Sequence, residues 1–232
     1  MVNQTKFQVL ENKCTSCVKC SLSTTRQNVV FGRGNPDAEL FIIGEGPGQQ
    51  EDEQGLAFVG RAGKMLDAAF SAVGLDTNKD CYVSNIVKCR PPNNRKPSTT
   101  EIEACMPWLN EQVNLLKPKI IILAGSTAVQ SFLGINEPIS KIRGQWIEKD
   151  NIKYMPIFHP SYLLRNLEHV APLASLSTGS SPLPPLVLVD QDSSATLARD
   201  LAVACASPDL SCRVVVPKTT PRAAMLELFK VA

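Results

Sequence analysis

Residues 38–66, AELFIIGEGPGQQEDEQGLAFVGRAGKML, limit the possible folds more than any other stretch of the chain. They open on a short apolar run, Leu40 to Ile43, whose length and β-branched content predict a buried strand. The run breaks into Gly44-Glu45-Gly46-Pro47-Gly48. Three glycines there permit positive φ and a close approach of backbone to ligand, and Pro47 stiffens the loop and removes a donor. From Ala62 to Val73 apolar residues recur at helical spacing. The unit is strand, glycine loop, acidic stretch, helix. In an open α/β sheet a ligand site is expected at the carboxyl end of such a strand, although the glycines alone would equally serve a tight turn. The loop is not G-x-x-x-x-G-K-[ST], which excludes a P-loop, and it lacks the G-x-G-x-x-G pattern of a dinucleotide site. The acidic run Glu51-Asp52-Glu53 argues against a polyanionic phosphate at this point.

Other runs repeat the pattern. Lys119 to Leu123 predicts another buried strand, which Gly125-Ser126-Thr127-Ala128 turns into a helix ending near Leu133-Gly134. With the runs around Phe41, Val83 and Ile157, four short strands alternate with helices. This predicts an α/β fold, a three-layer α/β/α sandwich with a central, mainly parallel four-stranded sheet. No apolar run reaches the roughly 18 residues needed to span a membrane. The N-terminus lacks the apolar core of a signal peptide, so a cytosolic or nucleoid location in a prokaryote is expected. A net charge of +2 over 232 residues neither supports nor excludes nucleic-acid binding, because a local basic face is what matters.

Eight cysteines in a cytosolic chain point to metal or catalysis before disulfides. Cys14 and Cys17 form a C-x-x-C pair with Cys20 close behind; Cys89 follows the strand-like run from Tyr82 to Val87. Ser98-Thr99-Thr100-Glu101 is a capping box, which sets Cys105 two turns into the helix that Ser98 starts. One close pair plus two distant thiolates could hold tetrahedral zinc or a [4Fe–4S] cluster, and Cys89 and Cys105 could also be small buried hydrophobes. Cys81, Cys205 and Cys212 have no such company and read as structural.

Taken together, these motifs carry a resemblance. Cys14-x-x-Cys17, Val30-Phe31-Gly32, Gly34-Asn35-Pro36, the glycine loop with Glu51-Asp52, Phe58-Val59-Gly60 and Ala62-Gly63 stand in one order. Ser84-Asn85-Ile86-Val87-Lys88-Cys89-Arg90-Pro91-Pro92 and His159-Pro160-Ser161-Tyr162-Leu163-Leu164-Arg165 follow. This series resembles the iron–sulfur uracil-DNA glycosylases (family 4) over about residues 10–166. The resemblance implies a [4Fe–4S] cluster on Cys14, Cys17, Cys89 and Cys105, leaving Cys20 off, and a substrate of uracil-containing DNA, single- or double-stranded, acted on by a monomer.

A uracil glycosylase must admit a flipped base, stack it, read its Watson–Crick edge and stabilise the leaving anion. Gly44, Glu45 and Gly46 are expected to shape the uracil pocket. Phe58 is placed to stack the base. Asn85 offers an acceptor for uracil N3–H and donors for O4 from one planar amide. His159 ends an apolar run and can donate to O2 as charge builds, for which a neutral imidazole suffices. In the better-known non-iron enzymes an aspartate in the corresponding loop orients the attacking water. Its place here is Gly46, so the nearby carboxylate Glu45 becomes the candidate. DNA contact is expected from Arg95 and Lys96 in the loop after Pro92, from Arg143, and from Tyr162, Leu163, Leu164 and Arg165, where a bulky residue could wedge into the gap left by the base. The same leucines would serve a core helix, and sequence does not separate Leu163 from Leu164. The rival reading is a non-catalytic iron–sulfur DNA-binding module of the same fold.

From Leu167 onward the chain changes character. Residues 167–185 are expected to form a proline- and serine-rich linker, with protease cutting first between about Ser175 and Pro185. Residues 186–232 match no motif of the family, whose closing charged amphipathic helix is not found there.

Overall fold

The computed structural model describes residues 2–72 and 74–167; the expected linker, the segment 186–232, His169, Cys205 and Cys212 lie outside the described residues. Helix α1 (Gln4–Thr15) precedes β1 (Arg33–Gly34) and β2 (Leu40–Gly44), and the glycine loop leads into α2 (Gln49–Gln54) and α3 (Arg61–Ala72). Then come β3 (Cys81–Asn85), α4 (Thr99–Leu116), β4 (Ile120–Ala124), α5 (Ser126–Leu133) and α6 (Ile139–Ile142). β5 (Ile147–Lys149), β6 (Ile152–Ile157) and α7 (Pro160–Leu167) complete the described order.

The sheet order is β1-β3-β2-β4-β6-β5. The four expected strands, β2, β3, β4 and β6, lie together and are parallel. The expected count of four needs correcting to six, because β1 and β5 pair antiparallel at the two edges. Both are too short, at two and three residues, to carry a period-2 signal.

Alternation along the central strands divides the core. Phe41, Ile43, Ile121, Leu123 and Tyr154 meet α1, α4 and α5 on one face. Leu40, Ile42, Ile122, Met155 and Ile157 meet Leu66 and Phe70 of α3 and Leu163 of α7 on the other. Every residue of β2, β3 and β4 is buried, as expected for strands covered on both faces. The capping box at α4 forms as read: Glu101 N donates to Ser98 Oγ at 3.3 Å and Ser98 N to Glu101 Oε2 at 2.8 Å. Among the described residues no helix is long and apolar enough to cross a membrane.

The chain runs from β2 to β3 on one side and then crosses to β4 on the other, so the winding reverses beside β2. Open sheets of this kind leave a crevice at that point, at the carboxyl ends of the strands. The glycine loop after β2, Asn85 at the end of β3, Gly125 after β4 and His159 after β6 all arrive there.

Candidate active site and cysteine cavity

A cleft of about 260 Å³ opens at these strand ends, bordered by Glu45, Gly46, Phe58, Asn85, His159 and Ser161. That is just under the ~300–1,000 Å³ of typical small-molecule pockets and leaves room for a planar base. Gly44 is required here, since a Cβ on it would lie 2.4 Å from Phe58 Cζ and 2.6 Å from Asn85 Oδ1.

Phe58 forms one wall. Its φ of +51° is a left-handed conformation that costs a non-glycine residue of order 1 kcal/mol or more. Three contacts hold it in place. Arg33 donates from Nε to Ala57 O at 2.6 Å and from Nη2 to Phe58 O at 3.2 Å. Glu51 Oε1 accepts from Val59 N at 3.0 Å and Gly60 N at 2.7 Å, while its Oε2 accepts from Gly48 N at 3.1 Å. Gly63 lets α3 come against the Phe58 carbonyl.

Sequence reading missed Arg33 and Glu51. Glu51 stands three residues after the last glycine of the loop, the spacing of a capping box, and that signal could have found it. The acidic run is therefore a set of backbone staples. Asp52, 2% exposed, likewise accepts from Gln27 N and Asn28 N at 3.0 and 3.2 Å.

Asn85 is 1% exposed, and its Oδ1 has no hydrogen-bond partner, the one such buried side-chain oxygen or nitrogen among the described residues. An orphaned amide oxygen costs about 1–3 kcal/mol, so it marks a place where a donor is expected to arrive. His159 borders the same cleft, its ring 5.8 Å from that of Phe58 and tilted by 33°. Ser161 N donates to His159 Nδ1 at 3.2 Å, and Ser161 Oγ lies 2.8 Å from the same atom. A backbone N–H can only donate, so Nδ1 is the bare nitrogen and the neutral ring carries its proton on Nε2. Burial, reinforced by the charge of Arg165, pulls the His159 pKa down to about 4.

This depression has a sign for stability. The unfolded chain binds a proton on this histidine near pH 6.5 and the folded chain only near 4, so stability falls as the pH drops across that window. The expected loss is about 2 kcal/mol between pH 7 and pH 4.5, measurable as denaturant stability at those two pH values in wild type and in His159→Gln. The variant should show the smaller drop; equal drops would mean that this ring is not held neutral.

Glu45 borders the cleft half-buried, with Oε2 accepting from Thr127 Oγ1 at 2.6 Å. Gly46 packs its backbone on Val87, whose Cγ2 would lie 2.7 Å from a Cβ there. Of the expected DNA contacts, Lys96 is exposed, and Arg165 borders the cleft. Tyr162 is 45% exposed and stacks on Phe158, over which Arg143 lies at 4.8 Å. Two of these expectations change. Leu163 is 3% exposed and packs into the core, so it is no wedge; one helical step, about 100°, leaves Leu164 half-buried instead. Arg95 is not a free phosphate ligand, because both of its terminal nitrogens bind buried Glu101 at 2.7 and 2.8 Å. That guanidinium holds the Glu101 carboxyl well below the usual range, to about 2.

The cysteines gather elsewhere. Cys14, Cys17, Cys89 and Cys105 line one cavity together with Cys20, the residue expected to stand apart, and none of the residues bordering this cavity borders the cleft. Donors reach three of the sulfurs: Trp108 Nε1 to Cys17 at 3.3 Å, Arg26 Nη1 to Cys89 at 3.3 Å and Lys88 N to Cys105 at 3.2 Å. Burial pushes the Cys14 thiol up to about 12 and the Cys89 thiol up to about 11. Lys88 is 1% exposed, and its ammonium donates only to neutral oxygens of Ser84, Asn85 and Gln112 at 2.6 to 2.8 Å. Burial brings its pKa down to about 8, and the groups that oppose this are Cys105, Cys14 and Cys89. A buried ammonium beside these sulfurs is favoured by negative charge on them, which metal ligation would supply by deprotonating the thiols.

Among the described residues no three His, Cys, Asp or Glu side chains converge closely enough to hold a single metal ion. A multi-iron cluster spreads its thiolates more widely than the ~2.3 Å bonds of one zinc allow.

A family model described as the uracil DNA glycosylase superfamily matches residues 31–175. The chain belongs to that superfamily. A type-4 uracil-DNA glycosylase of Thermotoga maritima is 42% identical over 162 residues, spanning 69% of this chain and 84% of the relative. Similar enzymes of Sulfurisphaera tokodaii and Archaeoglobus fulgidus are 40% and 38% identical, over 69% and 64% of this chain and 76% and 78% of theirs.

Proposed function

We propose that this chain is a DNA-repair glycosylase that receives a uracil flipped out of DNA and hydrolyses its N-glycosidic bond, leaving an abasic site. The observation that carries this is the orphaned Asn85 Oδ1, buried beside Phe58 in a cleft with room for a base. Uracil N3–H is the donor that satisfies it, and the amide nitrogen of Asn85 then meets O4. Cytosine, with an acceptor at N3 and a donor at N4, mismatches both. Phe58 stacks the ring, which by analogy with base stacking elsewhere contributes about 1–3 kcal/mol.

Bond breaking sends the electron pair of the N1–C1′ bond onto the base and leaves the sugar cation-like. His159 Nε2–H donates to O2 as that negative charge grows, and a neutral donor serves because the base leaves as an anion and needs no proton from the ring. Glu45 faces the developing positive charge and holds the water, whose oxygen bonds to C1′ as one of its protons passes to the Glu45 carboxylate. Lys96, Arg143, Tyr162 and Arg165 form the DNA-facing rim, with Leu164 as the candidate wedge. The same reading has the chain acting as a monomer in the cytosol or nucleoid of a prokaryote.

The test is direct. Uracil-containing oligonucleotides, single- and double-stranded, should acquire alkali-labile abasic sites on incubation with the protein. Binding without such sites would favour the non-catalytic module.

Cys14, Cys17, Cys89 and Cys105 would hold a [4Fe–4S] cluster. When bound, such a cluster ties α1, the segment after β3 and α4 together and supplies no group to the reaction. The purified protein should be brown, with absorbance near ~400 nm. Replacing Cys89 or Cys105 should bleach and destabilise it more than replacing Cys20. Colourless protein with stoichiometric zinc would overturn the assignment, and equal effects at Cys20 would change the ligand set.

A further inference from the structure

Thr127 has no ordinary helix duty. It sits in the first turn of α5, where the N-cap is Gly125 and no side chain caps the helix. Yet it is 4% exposed, and its hydroxyl donates to Glu45 Oε2 at 2.6 Å, across 82 residues of sequence. A bond of this length from a hydroxyl to a carboxylate is of the strong, charge-assisted kind. Glu45 Oε1 accepts no hydrogen bond from any described residue. The main chain of Glu45 is pinned as well, its carbonyl accepting from Val87 N at 3.1 Å. The carboxylate thus stands between β3 and β4, bordering both the base cleft and a second cavity of about 190 Å³ reached by Thr127, Ser161 and Tyr162.

We infer that Thr127 is a positioning residue that locks the Glu45 carboxylate through Oε2 and thereby leaves Oε1 as the oxygen that holds the attacking water. A free glutamate side chain spreads over many rotamers, and fixing it costs conformational entropy. Paying that cost at folding rather than in the transition state is what a buried threonine at this position accomplishes. Thr127 is itself anchored to the wall that carries His159. Gly125, at φ +94°, packs so closely that a Cβ there would lie 3.0 Å from His159 Cβ. Donor and water-holder are therefore set from the packed ends of two neighbouring strands, β4 and β6.

The inference rests on the proposed role of Glu45, and the experiment separates the two. Single-turnover rates and DNA affinities on one uracil oligonucleotide are measured for Thr127→Val, Thr127→Ser, Glu45→Ala and the double variant Glu45→Ala/Thr127→Val. Thr127→Val should slow the chemical step by about tenfold with affinity unchanged, and Thr127→Ser, which keeps the hydroxyl, should restore the rate to within about threefold of wild type. In the Glu45→Ala background Thr127→Val should have no further effect, because its partner is gone. An undiminished rate in Thr127→Val, or full additivity in the double variant, with Glu45→Ala itself slow, overturns the role of Thr127. A wild-type rate in Glu45→Ala overturns the water-holding role of Glu45 and the inference with it.

Discussion

His159→Ala lowers the single-turnover rate of uracil release by roughly a hundredfold or more, the loss seen when one preorganised donor to a developing anion is removed. The size follows from where the ring sits. Its proton is fixed on Nε2 by the Ser161 backbone donor, and its neutral state is secured by burial. The donor is therefore already aimed when charge appears on O2, and water admitted by the alanine cannot be held in the same way. Affinity for uracil-containing DNA should change far less than the rate. A variant that binds weakly but reacts at the wild-type rate would reduce His159 to a wall of the pocket.

Asn85→Asp should cost uracil excision roughly a thousandfold, since a site built around a hydrogen-bond pattern rejects a mismatched partner strongly. The carboxylate replaces the donor facing O4 with an acceptor and brings charge into a place that is 1% exposed. The carboxylate accepts from the N4 amino group of cytosine, where the wild-type amide met O4 of uracil with a donor. Cytosine release, absent in wild type, should become detectable in the variant on a cytosine-containing oligonucleotide. Uracil release at the wild-type rate would show that Asn85 does not read the base.

Both predictions concern residues visible in the linear chain, and there is a physical reason for that. Strands covered on both faces must be continuously apolar, so β2, β3, β4 and β6 announce themselves, and the polar residues that end them are conspicuous. Asn85 and His159 stand at such ends, and the glycine loop stands at a third. Helix starts are similarly local: the Ser98–Glu101 box depends on residues three apart and could be read directly. The cysteine pair was legible from spacing and its two distant members from the family resemblance.

What the chain alone could not show are relations between distant residues. The edge strands β1 and β5 exist because β3 and β6 offer unpaired backbone, a property of the partner rather than of Arg33–Gly34 or Ile147–Lys149. Leu163 and Leu164 are equivalent in composition, and only the angle at which α7 meets the sheet buries the first. Arg95 reads as a free basic side chain until Glu101 is found beneath it, and nothing local marks Lys88 as a buried lysine beside the cysteines. The hold of Thr127 on Glu45 and of Arg33 on the Phe58 loop likewise spans separations that no periodicity encodes. Local sequence determined the strands, the caps and which polar groups stand at the strand ends, because those depend on neighbours a few bonds away. Tertiary packing decided how those groups are aimed and charged, because burial and hydrogen-bond partners come from the whole folded chain.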